Sequence, residues 1–101
     1  MSRKNYQDIT LDEFPDFRDL PNTVVVDVRE KWEFEEFNEG GINIPLAEIR
    51  NKRSAIEQFD NIIVICSNGT RSRVAAMDYC RVEAWKDKGI FHLKGGILGV
   101  E

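Results

Sequence analysis

The chain is short of the residues that hold metals and cross-links. It has one histidine, His92, and two cysteines, Cys66 and Cys80, in 101 residues. With no Cys-x-x-Cys among them, these ligands do not assemble a metal site, so none is expected. Two cysteines do not make a disulfide framework either. Positive charge is not in excess: 14 Lys and Arg stand against 18 Asp and Glu, for a formal net charge of -4. No basic stripe offers itself to nucleic acid or to an anionic membrane surface, and neither is expected as a partner. Long apolar runs are missing as well. The longest aliphatic stretches, residues 24–26 and 62–65, are far too short to span a bilayer. Met1-Ser2-Arg3-Lys4-Asn5 is not followed by the apolar run of a signal peptide. The expected compartment is therefore the cytoplasm, where a thiol is either a small buried hydrophobe or a chemical group. There are no repeats, linkers or low-complexity tracts, and nothing calls for a cofactor.

What is present suits one domain over residues 1–101, with 42% hydrophobic residues to build one modest core. Short apolar strands alternate with amphipathic stretches. Thr10 and Glu13 have the spacing of a capping box and should open a short helix through about Leu20. Residues 23–28 and 62–65 are β-branched and almost continuously apolar, the pattern of strands buried on both faces. Residues 32–37 are a short helix candidate, 42–44 a short strand stopped by Pro45, and 46–59 one or two helical pieces. Ser72 onward reads as helix through about Trp85, and 90–93 as the last strand. This rhythm predicts an α/β domain with a largely parallel sheet. The tail from Gly95 is short, so a final helix is truncated or barely formed. Chemistry in such sheets sits at the carboxyl ends of the strands. Two ends carry polar residues: Asp27-Val28-Arg29 and Cys66-Ser67-Asn68-Gly69-Thr70-Arg71-Ser72.

The second of these has the makings of a nucleophile's seat. Cys66 follows a buried strand directly. Gly69 allows backbone conformations closed to other residues, Ser67, Asn68 and Thr70 add short polar groups, and Ser72 is a candidate helix N-cap. Such a loop can turn successive N–H groups inward as an anion nest, backed by the positive end of the next helix, and so favour a thiolate over a thiol. Arg71 adds a fixed cation with a planar fork of donors that could meet an oxyanion. Standing alone, a cysteine at a strand end is usually core filling; the loop, Arg71 and the helix start reverse those odds. Cys80, near Val74, Ala76 and Met77, has none of these features and is assigned to the core. His92, in a strand candidate without an acidic neighbour, reads as a packing or surface residue rather than a base.

These segments resemble a known family. Val25-Val26-Asp27-Val28-Arg29-Glu30, Gly41-Ile42-Asn43-Ile44-Pro45-Leu46, Ile63-Val64-Ile65-Cys66-Ser67-Asn68-Gly69-Thr70-Arg71-Ser72 and Leu93-Lys94-Gly95-Gly96-Ile97 look like a rhodanese domain, in family order and over nearly the whole chain. The resemblance implies a five-stranded, mainly parallel sheet flanked by helices, and a persulfide mechanism. Cys66 would take sulfur from a donor such as thiosulfate, held by Ser67, Asn68, Gly69, Thr70, Arg71 and Ser72. It would pass the sulfur to cyanide or a thiol, or to a sulfur-carrier, thioredoxin-like or ubiquitin-like protein. Asp27 and Arg29 match the family's Asp-x-Arg and are read as supporting residues joined by an ion pair or loop hydrogen bonds. The chain departs from the family at Glu36-Phe37-Asn38, in the connection from Ala84 to Gly89, and in an ending that lacks the frequent tryptophan. Three readings stay open: a sulfurtransferase, a small thiol phosphatase or arsenate reductase, and a non-catalytic binding module. The six residues from Cys66 to Arg71 match the sulfurtransferase branch, since related phosphatases use a loop one residue longer.

Overall fold

β-branched residues build the middle of the sheet. In the computed structural model, which describes residues 5–100, Thr23–Asp27 (β2) and Asn61–Ile65 (β4) pair in parallel, with Val25 opposite Ile63 and Asp27 opposite Ile65. Gly89–Leu93 (β5) pairs with β4, Gln7–Ile9 (β1) with β5, and Ile42–Asn43 (β3) with β2, all parallel. The order β1-β5-β4-β2-β3 is a five-stranded sheet. The expected architecture is present, with every pairing parallel rather than most. β1 was not foreseen: it has three residues, of which only Ile9 is buried.

Alternation along the central strands feeds two cores. Val24, Val26 and Val28 of the β2 stretch and Ile62, Val64 and Cys66 of the β4 stretch face one side, where they meet Ala75, Ala76 and Tyr79 of the helix Thr70–Tyr79 (α3). Val25, Ile63 and Ile65 face the other, against Phe14 of the helix Phe14–Arg18 (α1) and Leu93. Fully burying an aliphatic side chain contributes roughly 1.5–3 kcal/mol, so the two layers dominate the stability of the sheet. A third helix, Lys31–Glu36 (α2), follows β2, and short 3-10 turns occupy Leu46–Glu48, Arg53–Ala55 and Glu83–Trp85.

Several boundaries differ from expectation for physical reasons. The reciprocal bonds of Thr10 and Glu13 are formed, Thr10 N–H donating to Glu13 Oε1 at 2.9 Å and Glu13 N–H to Thr10 Oγ1 at 3.2 Å. They close a turn, and regular helix begins only at Phe14 and ends at Arg18, short of Leu20. α3 starts at Thr70, not Ser72, and stops at Tyr79 instead of running on to Trp85. Beyond Tyr79, Arg81 N–H and Val82 N–H tighten onto the carbonyls of Asp78 and Tyr79, and Val82 turns extended. That break brings Trp85 back against Tyr79, ring centroids 5.4 Å apart. The tyrosine hydroxyl is buried without a partner among the described residues, and burial pushes its pKa up to about 12. Asp78 anchors the 46–56 segment to α3, taking Arg50 Nε at 2.8 Å and Arg53 Nη2 at 3.0 Å. No helix among the described residues is long and apolar enough to cross a membrane.

Candidate active site

The site lies where β4 ends beside β2, at the carboxyl edge of the sheet. Val28 N–H donates to Ile65 C=O at 3.0 Å, which extends the β2–β4 pairing one step past the strands and delivers Cys66 to the edge. The next residues turn because Gly69 adopts φ +94, a left-handed conformation that a side chain would strain. Gly69, not Ser72, is thus the N-cap of α3, and no side chain caps the helix. Ser72 is buried inside the first turn, its hydroxyl spent on the sulfur instead.

Around Cys66 Sγ three polar groups converge. The N–H groups of Gly69 and Ser72 donate to it at 3.2 and 3.3 Å, and the thiol donates to Ser72 Oγ at 3.4 Å. Two amides at the start of a ten-residue helix are the donors an anionic sulfur needs. The sulfur is completely buried. Asn68 Oδ1 accepts Thr70 N–H at 3.0 Å and so shapes the loop. Ser67 contributes its carbonyl, which accepts Leu98 N–H at 3.0 Å, while Ile97 N–H donates to Cys66 C=O at 2.9 Å. The chain after β5 therefore straps the loop from behind. Gly96 makes the crossing possible: a Cβ there would sit 2.2 Å from Ser67 C=O and 2.5 Å from Asn68 N.

Arg71 is at the loop, and its guanidinium is occupied. Nη1 lies 2.6 Å from Glu33 Oε1 and Nη2 3.1 Å from Oε2, a bidentate pair with α2. The Arg71 bonds hold Glu33 below the usual carboxylate range. The hydrogen bonds to Glu33 in turn raise Arg71, against the opposing effect of burial. Nothing local in the sequence marks Glu33 as part of this site: it stands 38 positions from Arg71. Its visible role is at the start of α2, where Glu33 Oε1 accepts Glu30 N–H at 2.9 Å.

Asp27 and Arg29 form a buried ion pair, Nε to Oδ1 at 3.0 Å and Nη2 to Oδ2 at 2.8 Å. Arg29 Nη2 also donates to Phe37 C=O, and Asn43 Nδ2 reaches the carbonyls of both Asp27 and Arg29 at 3.0 Å. These bonds fix the β2–α2 turn that presents Glu33. The side-chain bonds of Asp27 and Arg29 are made to each other and to the backbone of this turn.

His92 corrects the expectation of a histidine without an acidic neighbour. It is buried, with Nδ1 2.9 Å from Asp8 Oδ1 and Nε2 2.9 Å from Gly69 C=O, and Tyr6 meets its ring edge-on. Asp8 belongs to β1, 84 positions away, so no spacing could have disclosed the contact. Cys80 packs partly buried against the larger core, and burial raises its thiol pKa. Among the described residues no cluster of His, Cys, Asp or Glu is placed to hold a metal ion.

A cysteine loop at the carboxyl edge of a parallel sheet defines a class, the α/β domains built round a single cysteine and a helix N-terminus. Within that class the family is identified. The model of the rhodanese-like domain matches residues 10–101, and the chain belongs to that family. It is 38% identical over 53 residues to YrkF of Bacillus subtilis (strain 168), whose name proposes a sulfur-carrier role. That match takes in 52% of this chain and only 29% of the relative's length. Among solved structures, a rhodanese-related protein from Thermoplasma volcanium is 30% identical, covering 91% of this chain and 87% of its own, with TM-score 0.71. A NAD-dependent persulfide reductase from A. fulgidus is 28% identical over 92% of this chain and 15% of that one, with TM-score 0.66.

Proposed function

We propose that the domain is a sulfurtransferase that carries sulfur as a persulfide on Cys66. The observation that carries this reading is the sulfur itself, buried at the strand end with two backbone N–H groups donating to it and its own S–H donating to the Ser72 hydroxyl. With thiosulfate as donor, the Cys66 thiolate attacks the outer sulfur, the S–S bond of thiosulfate breaks, and sulfite leaves with that electron pair. The product, Cys66–S–S⁻, keeps its negative charge inside the nest. Cyanide then takes the outer sulfur as thiocyanate, or a thiolate takes it as a new persulfide, and the Cys66 thiolate returns. This is covalent catalysis in two half-reactions. A small-molecule thiol or a sulfur-carrier or thioredoxin-like protein in the cytoplasm fits as acceptor. Thr70, Arg73, Val74, Met77 and Lys94 line a pocket of about 480 Å³ beside the loop that offers such an acceptor room. The names of the Bacillus subtilis and A. fulgidus relatives point in the same direction.

The phosphatase reading is weaker on two counts. Cys66 has no exposed surface, so the loop must give a little for any attack, and a single sulfur atom asks less of a six-residue loop than a phosphoryl group. A phosphatase also wants a protonated acid for its leaving group, whereas Glu33, the carboxylate joined to the loop, is held ionised by Arg71. Intact-protein mass after thiosulfate treatment tests the proposal. One added sulfur atom is expected on the wild type and on Cys80→Ala, and none on Cys66→Ala. Undiminished labelling of Cys66→Ala, or Cys66-dependent phosphatase turnover without persulfide, would overturn it.

A further inference from the structure

The cation of the cysteine loop is already neutralised. Both terminal nitrogens of Arg71 are bound to Glu33, and Glu33 is fixed from its own side because Oε1 also accepts Glu30 N–H. The pair is two-thirds or more shielded from solvent on each side, with side-chain exposures of 32% for Arg71 and 17% for Glu33. Arg73 and Lys94 stand at the pocket beside the loop, but the guanidinium fork at the loop itself is closed. Arg29 is consumed by Asp27, and Glu30 lies close enough to act on Arg71 as a second negative charge. Each of the two arginines nearest the loop, Arg71 and Arg29, is thus matched by its own carboxylate. A free guanidinium fork is the natural receiver of a planar or tetrahedral oxyanion; here a carboxylate fills it in advance.

We propose that Glu33 sets the class of sulfur donor: by closing the fork of Arg71 it selects sulfane-sulfur donors of low negative charge, such as organic thiosulfonates, over the thiosulfate dianion. The inference rests on the reading of Cys66 as a sulfur-accepting thiolate. Glu33 acts through Arg71 and touches no reacting atom, so it is a positioning residue. Thiosulfonate and thiosulfate undergo the same step. The thiolate forms a bond to the terminal sulfur, the donor's S–S bond breaks, and the electron pair leaves on a sulfinate in one case and on sulfite in the other. The donors differ by one unit of charge, which makes their ratio a measure of the local field.

The experiment compares persulfide formation from thiosulfate and from methanethiosulfonate in single-turnover mass measurements, on the wild type and on Glu33→Gln. Glutamine keeps the length of the side chain and the oxygen that accepts Glu30 N–H, and thermal melting checks that the variant is folded. The thiosulfate-to-thiosulfonate ratio of second-order rate constants should rise about tenfold in Glu33→Gln, the order expected for one charge a few ångströms away near a protein surface. Glu33→Ala is the second variant: it also frees the fork of Arg71 and should raise the same ratio in the same direction. An unchanged ratio in folded Glu33→Gln would overturn the inference. So would a lower ratio in either variant, which would mean that Glu33 orients Arg71 for the dianion. Absence of persulfide from both donors would remove the sulfur-transfer reading, and the inference with it.

Discussion

Gly96→Ala should damage the cysteine loop from a position thirty residues away. The methyl group would meet Ser67 C=O at 2.2 Å, Ser67 C at 2.4 Å and Asn68 N at 2.5 Å, all backbone atoms of the loop, so no side chain can swing aside. The residue also has φ +69, a conformation that costs a non-glycine residue about 1–2 kcal/mol. Relieving the clash means parting the two segments, which puts at risk the bonds from Ile97 N–H to Cys66 C=O and from Leu98 N–H to Ser67 C=O. At about 1 kcal/mol each, these bring the expected loss to about 3–4 kcal/mol. For a domain of this size that is a fall in Tm of roughly 15–25 °C. Gly99→Ala is the control. Its φ is +68, but the added Cβ meets only Leu11 Cδ2, at 3.5 Å, so it bears the conformational cost alone and should lose about 5–10 °C. Thermal unfolding by circular dichroism and persulfide formation by mass should be read on both variants. Gly96→Ala should lose persulfide formation at least tenfold at a temperature where it is still folded, since small misplacements of a reacting group are costly. Equal melting and equal labelling of the two alanine variants would refute the strap.

Ser72→Ala removes the hydroxyl beside Cys66 Sγ but leaves the Ser72 N–H in place; it should slow persulfide formation about three- to tenfold, a loss of about 1 kcal/mol, read in the same mass assay. Asp78→Asn removes the charge that holds Arg50 and Arg53 and should cost about 1–2 kcal/mol in urea unfolding at pH 7, less than a fully buried pair because Arg50 is largely exposed. Burial pushes the Asp78 carboxyl up, yet the two arginines bring it below its ordinary value of 3.8. Its contribution is therefore present above that value and lost as pH falls through the lower folded one, so the gap between wild type and Asp78→Asn should narrow below about pH 4.

The centre of the molecule was legible because its signals are local. The continuous β-branched character of β2 and β4 marks strands covered on both faces, and the glycine-bearing loop after β4 marks the place where backbone N–H groups gather round Cys66 Sγ. What escaped depends on contacts that no window of sequence contains. β1 has one buried residue and exists by pairing with β5. The partners Asp8 of His92 and Glu33 of Arg71 are 84 and 38 positions distant. Ser72 has the chemistry of a cap, but the left-handed turn at Gly69 starts the helix sooner and turns the serine inward. The early end of α3 goes with the extended turn at Val82 and the contact of Trp85 with Tyr79, a tertiary arrangement that overrides a helical pattern.

The strap behind the loop also orders events in time. Cys66 and Ser67 emerge from the ribosome about thirty residues before Ile97 and Leu98, whose N–H groups engage their carbonyls. His92, which engages Gly69 C=O, likewise follows it by 23 positions. A growing chain that has paired β2 with β4 therefore holds its cysteine in a loop still lacking these bonds, and closes it only as the last described residues arrive. The setting of the Cys66 thiol is thus completed late, by residues made after the sheet, and a chain interrupted after β5 carries a nearly whole sheet with an unfinished cysteine loop.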